Sequence, residues 1–566
     1  MRIALAQINP TIGDFTGNLV KIREFTERAA VERADLVMFP ELAICGYLPA
    51  DLLDKESFVE RAAEVLAEVC ALTAGEGRPA ILCGTVLPAE GDIGKRVRNV
   101  AVLMEDGEVR LAQQKMLLPY YDVFDEQRYF EPAVRQSLAV VKGRPVAITI
   151  CEDAWNDKSF WEQRNYAVDP IEELMKQWGT LPQTLSGPRL ILNISASPYW
   201  HCKTEMRRRM IGALAKRHCA TVALVNQVGA NDSLIFDGDS IVVGPDGEIV
   251  AQAGSFVEDL LVVETEPATQ IPLGNDKPKE QSQCEDQTEF SWKALVLGTR
   301  DYVRKCGFKK AIVGLSGGID SALVAALAVE ALGKENVQGV GMPSEFSSTG
   351  SVSDAELLAR NLGIGFSIVP IKAVFAEFSG ALEPFFAGTP FGLAEENLQP
   401  RIRGAILMAL SNKTGALVLT TGNKSEMACG YCTLYGDMVG ALAVIGDLYK
   451  TEVYALSRYA NREGEVIPED TLTKAPSAEL RPGQKDTDSL PPYEVLDPIL
   501  RATIEEYSPA EQIAATQGVD VELVRAVIKL VERSEYKRQQ AAPVLKVSKK
   551  SFGMGRRFPI AAKHEV

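Results

Sequence analysis

Histidine is almost missing from this 566-residue sequence, which holds only His201, His218 and His564. Ser-His or Cys-His catalysis would have to draw on one of these three, so a nucleophile here calls for another kind of base. Positive charge is also in deficit. Lys and Arg number 60 against 76 Asp and Glu, a formal net charge of −16 with a pI near 5.0. Such a balance repels phosphate-rich partners and argues against general nucleic-acid or anionic-membrane binding, while leaving room for local anion pockets. No apolar run reaches the roughly 18 residues of a membrane span, and the opening MRIALAQINP turns polar within a few positions, unlike a secretory leader. A cytoplasmic location is expected. The ten cysteines are scattered, and Cys70, Cys83 and Cys219 stand among apolar neighbours, as reduced core thiols do rather than members of a disulfide framework. Cys429 and Cys432 form a CxxC, yet neither a second pair nor a nearby histidine completes a zinc site, so they read as structural thiols.

The length points to about two to four domains, and two large ones fit best. Up to residue 265, short apolar runs alternate with helix-like segments: RIALAQI, an amphipathic stretch from Val20 to Val31, DLVMFPE, FVERAAEVLAEVCALTA and PAILCGT. VAITIC, RLILNIS, TVALVNQ, DSIVVGP and LLVVETE follow as further strands. An α/β sandwich with two sheets is expected. Residues 266–287 shift to Pro, Gly, Asn, Lys, Gln and Glu, a linker composition. From 288 to 566, AIVGLS, NVQGVGM and GALVLTT each precede a helix-like or polar stretch, the pattern of a doubly wound parallel sheet. Two segments fit neither pattern: Asn156–Gly187, which reads as an insertion, and Arg481–Tyr493, a polar loop of the kind that covers sites.

The most specific motif is GLSGGIDS, residues Gly314, Leu315, Ser316, Gly317, Gly318, Ile319, Asp320 and Ser321, between the strand-like AIV and the helix-like ALVAALAVEAL. A glycine-rich turn from strand into helix aims several backbone N–H groups at one point and suits a phosphate. The Walker loop needs a lysine near its end, and here Ile319, Asp320 and Ser321 stand instead. The loop resembles the SGGxDS pyrophosphate loop of the ATP pyrophosphatases. That resemblance implies ATP cleavage between the α and β phosphates. The ordinary alternative is a βα turn with Asp320 in the first turn of a helix.

In the first half, Glu41 in MFPELAICGY, Lys115 in QQKMLLPYYDVF and Cys151 in AITICEDAW stand near strand ends. Taken singly, each has an ordinary reading: a solvated glutamate, a surface lysine, a core cysteine. In this order and these contexts they resemble the nitrilase superfamily, whose Glu-Lys-Cys triad hydrolyses carbon–nitrogen bonds. A free thiol with a pKa of about 8.5 is only a few per cent thiolate at pH 7 and needs activation. The resemblance makes Glu41 the base and Lys115 the partner of the tetrahedral oxyanion, with the amide N–H after Cys151, and it implies an orienting role for Glu126. It also implies glutamine as substrate, with Tyr121 touching it and Ser197 and Lys203 holding its α-amino and α-carboxylate ends. Two alternatives stay open, a plain surface role for Lys203 and Glu152 as the group that binds the α-amino end.

Beyond the pyrophosphate loop, MPSEFSSTGSVSDAELLARNLGI, ENLQPRIRG, TTGNKSEMACGYCTLYGDMVG and SEYKRQQ resemble the glutamine-dependent NAD synthetases, so the match spans nearly the whole chain. The implied architecture is a nitrilase-like α-β-β-α sandwich followed by a doubly wound, Rossmann-like synthetase domain. The implied reaction is amidation of deamido-NAD to NAD through an acyl adenylate, with ammonia from glutamine. Mg²⁺ is the implied cofactor, on Asp320 and Glu426, and ATP the co-substrate, touched by the loop and Thr421. Asn397, Glu426 and Lys537 fall where the family meets deamido-NAD. In the shorter ammonia-dependent enzymes a lysine precedes the YGD, whereas Leu434 precedes Tyr435 here. Lys450 is either a compensating phosphate contact or simply exposed. A homo-oligomer and a shielded route for ammonia are also implied. The alternative function is an amidase with a regulatory nucleotide-binding module.

Overall fold

A computed structural model describes residues 1–91, 93–185, 187–265 and 287–562. Contacts divide the chain into two compact units, Met1–Glu285 and Asp286–Val566. The expected linker lies outside the described residues except for Gln287, which is instead the first residue of a helix, Gln287–Lys305.

The strands of the first unit are β1 (Arg2–Gln7), β2 (Leu36–Met38), β3 (Ala80–Pro88), β4 (Val97–Glu105), β5 (Glu108–Gln114), β6 (Ala139–Val141), β7 (Arg144–Ile150), β8 (Arg189–Ser195), β9 (Ala220–Asn226), β10 (Val228–Asn231), β11 (Leu234–Asp237), β12 (Ile241–Val243), β13 (Ile249–Gln252) and β14 (Asp259–Glu264). They form two six-stranded sheets, ordered β14-β1-β2-β3-β4-β5 and β13-β12-β9-β8-β7-β6, and the hairpin β10-β11. In β1, Ile3 and Leu5 point between the sheets and meet Ile148, Ile194 and Val225 in one core. Ala4 and Ala6 point the other way, onto the helices Phe15–Val31 and Glu56–Ala71 through Ile22, Phe25, Val65 and Val69. On the far side, Ile191 and Leu224 pack against helices Pro170–Trp178 and Lys203–His218. Both faces of each sheet are therefore covered, which is why the strands read as continuous apolar runs rather than alternating ones. The unit is an α-β-β-α sandwich.

The second unit carries β15 (Ala311–Gly314), β16 (Val337–Gly341), β17 (Gly365–Ile368), β18 (Leu417–Thr420) and β19 (Leu442–Ala443), in the order β17-β16-β15-β18-β19. Every pairing is parallel. The order runs outward from β15 in both directions, so a crevice opens where β15 and β18 part, the usual ligand position in such sheets. Helix Ile319–Leu332 is buried along most of its length and continues directly from the loop after β15.

Several local expectations change. Asn156–Gly187 is not a featureless insertion, because it contains helix Pro170–Trp178, started by Pro170 and capped by the Asp169 carboxylate on Glu172 N. Cys219 is exposed rather than a core thiol, since it closes helix Lys203–His218 with φ +45°. Among the described residues no helix is long and apolar enough to cross a membrane.

Candidate active sites

In the first unit the chemistry gathers at strand ends. Glu41 follows β2, Lys115 follows β5, Cys151 follows β7 and Ala196 follows β8. Close packing at Gly84 of β3 fixes the turn at Glu41, since a Cβ there would lie 2.3 Å from Leu42 N and 2.7 Å from Glu41 Cα. Lys115 Nζ donates to Glu41 Oε1 at 2.7 Å and to Glu126 Oε1 at 2.8 Å, and all three side chains are fully buried. Glu41 is further held by Asn99 Nδ2 at 2.7 Å and by Ala196 N at 3.0 Å. Tyr47 Oη donates to Glu126 at 2.7 Å.

The electrostatics assign protons. Burial alone would depress the Lys115 ammonium, but Glu126 and Glu41 outweigh it and hold Lys115 above its ordinary value. Burial pushes Glu126 up to about 7, against the pull of Lys115. Cys151 is 4% exposed, and burial, reinforced by Glu41, raises its thiol although Lys115 opposes this. The Cys151 thiol is thus held in its neutral form, and the Lys115 ammonium is engaged with Glu41 and Glu126. Cys151 also has a left-handed backbone, φ +41°, at the sharp exit from β7. A non-glycine residue in that region, at a reactive position, is a mark of imposed geometry.

Of the expected glutamine contacts, Tyr121 is bonded to Glu152, its Oη donating to both carboxylate oxygens, at 3.0 and 2.9 Å. Lys203 Nζ donates to Pro198 O at 2.8 Å and sits 5.4 Å from the Trp155 ring centroid. It is 6% exposed, so it is not a plain surface lysine. Ser197 N donates to Asn226 Oδ1, one residue after the Ala196 that binds Glu41. Burial raises the Glu152 carboxyl even though Lys115, Tyr121, Tyr166 and Lys203 draw it down.

In the second unit a cavity of about 300 Å³ opens beside the loop after β15 and is lined by Gly314–Ser316, Gly318–Ser321, Thr421, Glu426 and Lys450. Gly317 has φ +79°, and a Cβ there would fall 2.2 Å from Ser351 O, so glycine is required for the loop to lie against the next helix. Ser321 Oγ donates to Gly318 O at 2.9 Å, and Ser316 Oγ accepts from Gly318 N at 3.2 Å. Lys450 Nζ lies 2.5 Å from Asp320 Oδ2 and 3.4 Å from Glu426 Oε1. At 2% exposure it is not the exposed side chain that one sequence reading allowed. Asn423 Nδ2 donates to Asp320 Oδ1 at 2.9 Å, and its side chain caps helix Lys424–Cys429, which carries Glu426. Burial and the neighbouring Asp320 raise Glu426 to about 8, against Lys450.

Asn397 and Lys537 do not line that cavity; both attach to the segment beside it. Thr433 Oγ1 donates to Asn397 Oδ1 at 2.7 Å, and Lys537 Nζ donates to Gly430 O and Cys432 O, each at 2.7 Å. Where the shorter enzymes place lysine, Leu434 O accepts from Arg401 Nε at 3.2 Å. The polar loop Arg481–Tyr493 does reach the cavity, because Asp486 lines it and accepts from Tyr493 Oη at 2.9 Å.

Two family models match, carbon-nitrogen hydrolase over residues 2–272 and NAD synthase over residues 291–541. The glutamine-dependent NAD(+) synthetase of Synechocystis sp. is 50% identical over 99% of this chain and 98% of its own. The chain belongs to the glutamine-dependent NAD(+) synthetases. The Thermotoga maritima synthetase is 43% identical, again over 99% and 98% of the two chains. A solved synthetase from Acinetobacter baumannii, in complex with ADP, superposes with a TM-score of 0.73 at 39% identity, covering 99% of this chain and 98% of that one.

Sequence reasoning within this synthetase chain missed Asn99, Tyr47 and Asn423, which hold Glu41, Glu126 and Asp320. Asn423 had a signal, since Asn three residues before Glu426 is a capping-box spacing. Asn99 and Tyr47 had none, because a strand asparagine and a loop tyrosine look alike whether or not they face a site.

Proposed function

We propose that this chain makes NAD from deamido-NAD, ATP, glutamine and water, releasing AMP, pyrophosphate and glutamate, with the two half-reactions divided between its two units. The observation that carries the reading is the pairing in one chain of the sealed Glu41–Lys115–Glu126 cluster beside Cys151 with the open Asp320–Glu426–Lys450 cluster beneath a phosphate-type loop.

Glutamine enters with its α-ammonium toward Glu152 and with Tyr121, Ser197 and Lys203 around it. Glu41 takes the Cys151 proton as sulfur attacks the amide carbon. The charge that develops on oxygen falls to Lys115 and the N–H of Glu152; one such donor is worth roughly 3 to 4 kcal/mol. The proton returns to the departing nitrogen, ammonia leaves, and Glu41 then activates water against the thioester.

In the second unit the nicotinate carboxylate is a poor electrophile until it is adenylated. The residues Gly314–Ser321 and the start of helix Ile319–Leu332 receive the departing pyrophosphate. Among the described residues no group of three or more His, Cys, Asp or Glu is placed to hold a metal ion. Two carboxylates suffice for Mg²⁺ when substrate phosphates supply the remaining ligands, and the raised Glu426 marks a place short of positive charge. Asp320 and Glu426 would hold the ion, which would neutralise phosphate charge. Thr421 would touch ATP, and Asn397, Glu426 and Lys537 deamido-NAD.

The partner is a second copy of the chain. Helix Lys372–Phe386 buries none of its residues, and Phe378, Phe385 and Leu393 are 49, 81 and 72% exposed, apolar surface that a second copy would cover. Light scattering should give a mass above 61.6 kDa, and a monomer at working concentration refutes this. We infer a cytoplasmic location, which the scattered cysteines and the use of ATP support.

The deciding assay follows NAD formation from deamido-NAD with glutamine or ammonium as donor. Both should support it in the unaltered chain. Cys151→Ala should lose the glutamine-driven rate and keep the ammonium-driven one; equal loss with both donors contradicts two separate sites. If neither donor yields NAD while glutamine is still hydrolysed, the chain is an amidase with a regulatory nucleotide module.

A further inference from the structure

Lys424 is a fully buried lysine that the reaction does not use. It lies between Asn423 and Glu426, and its Nζ contacts Asp447 Oδ1 at 3.0 Å, Glu505 Oε1 at 2.9 Å, Ser548 Oγ at 2.7 Å and Lys550 O at 2.7 Å. Asp447 is equally buried and stands three residues before Lys450. It accepts from Val547 N at 2.8 Å, Ser548 N at 2.7 Å and Ser548 Oγ at 2.8 Å. The Ser548 hydroxyl therefore accepts from the ammonium and donates to the carboxylate, closing a triangle between them.

The segment that supplies Ser548 is sewn to the sheet. Ala443 N donates to Pro543 O at 2.8 Å, Val544 bridges Ala443 in parallel beyond β19, and Phe552 is buried among residues that include Met427 and Ala428. Burial would raise the Asp447 carboxyl, yet Lys424, Lys546 and the N–H of Ser548 hold it below its usual range. The charges are thus settled within the node, with no need of substrate.

We propose that the Lys424–Asp447–Ser548 node is the positioning device of the adenylation site. It fixes the strand-to-helix turn carrying Asn423 and Glu426 against the turn carrying Lys450, and so sets how these three meet Asp320. This rests on the reading that Asp320, Glu426 and Lys450 serve ATP. The node touches none of the reacting groups itself. Its influence runs through backbone on both sides: Lys424 N donates to Leu448 O at 2.8 Å, and Lys450 N donates to Ser425 Oγ at 3.0 Å. A shift of either turn would lengthen the contacts of Asn423 and Lys450 with Asp320.

The test uses the full chain with Ser548→Ala and Ser548→Thr, because the direct Lys424–Asp447 contact survives in both and keeps the fold. Ammonium-driven NAD formation is measured against ATP and against Mg²⁺, alongside the melting temperature and glutamine hydrolysis. For Ser548→Ala we expect about a fivefold or larger rise in the KM for ATP at saturating Mg²⁺, a matching rise in the Mg²⁺ needed, and glutamine hydrolysis without ATP unchanged. Ser548→Thr, which keeps the hydroxyl, should restore the KM. A variant that melts lower but has unaltered KM and kcat overturns the proposal and leaves the node a stabilising contact only. So does a Thr variant as impaired as the Ala one. If the unaltered chain makes no NAD with ammonium, it is the reading of the ATP site that has failed.

Discussion

Lys115 in the first unit and Lys450 in the second are each caught between two carboxylates, and they differ in how far the surroundings close around them. Lys115 sits with Glu41 and Glu126, every side chain fully buried and one ammonium serving both carboxyl groups. Lys450 sits with Asp320 and Glu426, whose side chains are 19 and 18% exposed to a cavity. The first arrangement suits chemistry whose protons all come from the protein. The second suits chemistry in which substrate brings most of the charge, as nucleotide phosphates with a divalent ion do. One motif, a cation between two acids, is thus sealed in one place and open to a cavity in the other.

The comparison breaks first at the open site. Asp320→Ala should remove NAD formation with glutamine and ammonium alike, a fall of about a thousandfold or more if charge neutralisation at the phosphates is lost. Near-normal ammonium-driven rates would show that Asp320 carries no such role. Its counterpart at the sealed site, Lys115→Ala, should cost glutamine hydrolysis roughly 3 to 4 kcal/mol in the transition state, while ammonium-driven synthesis continues; parallel loss of both would dissolve the distinction.

The smallest effect is the most diagnostic of the sealed cluster. Glu126, raised to about 7 by burial, favours its neutral form in the folded cluster. Its contribution to stability is therefore complete below the ordinary carboxylate range and fades as pH rises through about 7. Below that pH the extra proton also competes with the one that must leave Cys151, so kcat/KM for glutamine hydrolysis should fall on the acid side. Glu126→Gln cannot titrate, so the acid limb and the loss of stability near pH 7 should both disappear from its profiles. An unmoved limb would mean that Glu126 does not cause it.

Much of the architecture was legible because strands with both faces covered leave unbroken apolar runs, and GLSGGIDS marks a strand-to-helix turn under either reading of its glycines. The hairpin of β4 and β5 was passed over, although Asp106 and Gly107, with φ +54° and +77°, form the two-residue turn that such a dipeptide announces. The edge strand β17 gave little signal, being four residues with an exposed, glycine-led pattern. At the sites, the residues proposed to perform chemistry could be named by type and order. Those that hold them, such as Asn99 and Ser548, could not, because their partners lie 58 and 124 residues away. Cys219 misled for a related reason: its apolar neighbours in sequence belong to β9, while the residue itself turns outward at a helix end.

A neutral thiol enclosed by the fold has a cost-free benefit for an enzyme with nine described cysteines, none in a disulfide. Peroxide and charged alkylating agents attack thiolates that solvent can reach, and Cys151, buried and with its thiol raised by burial, presents neither the charge nor the access. Under oxidative stress the nucleophile is guarded by the same burial that makes it wait for its substrate, and covalent inhibitors that imitate glutamine should reach it where small general thiol reagents do not.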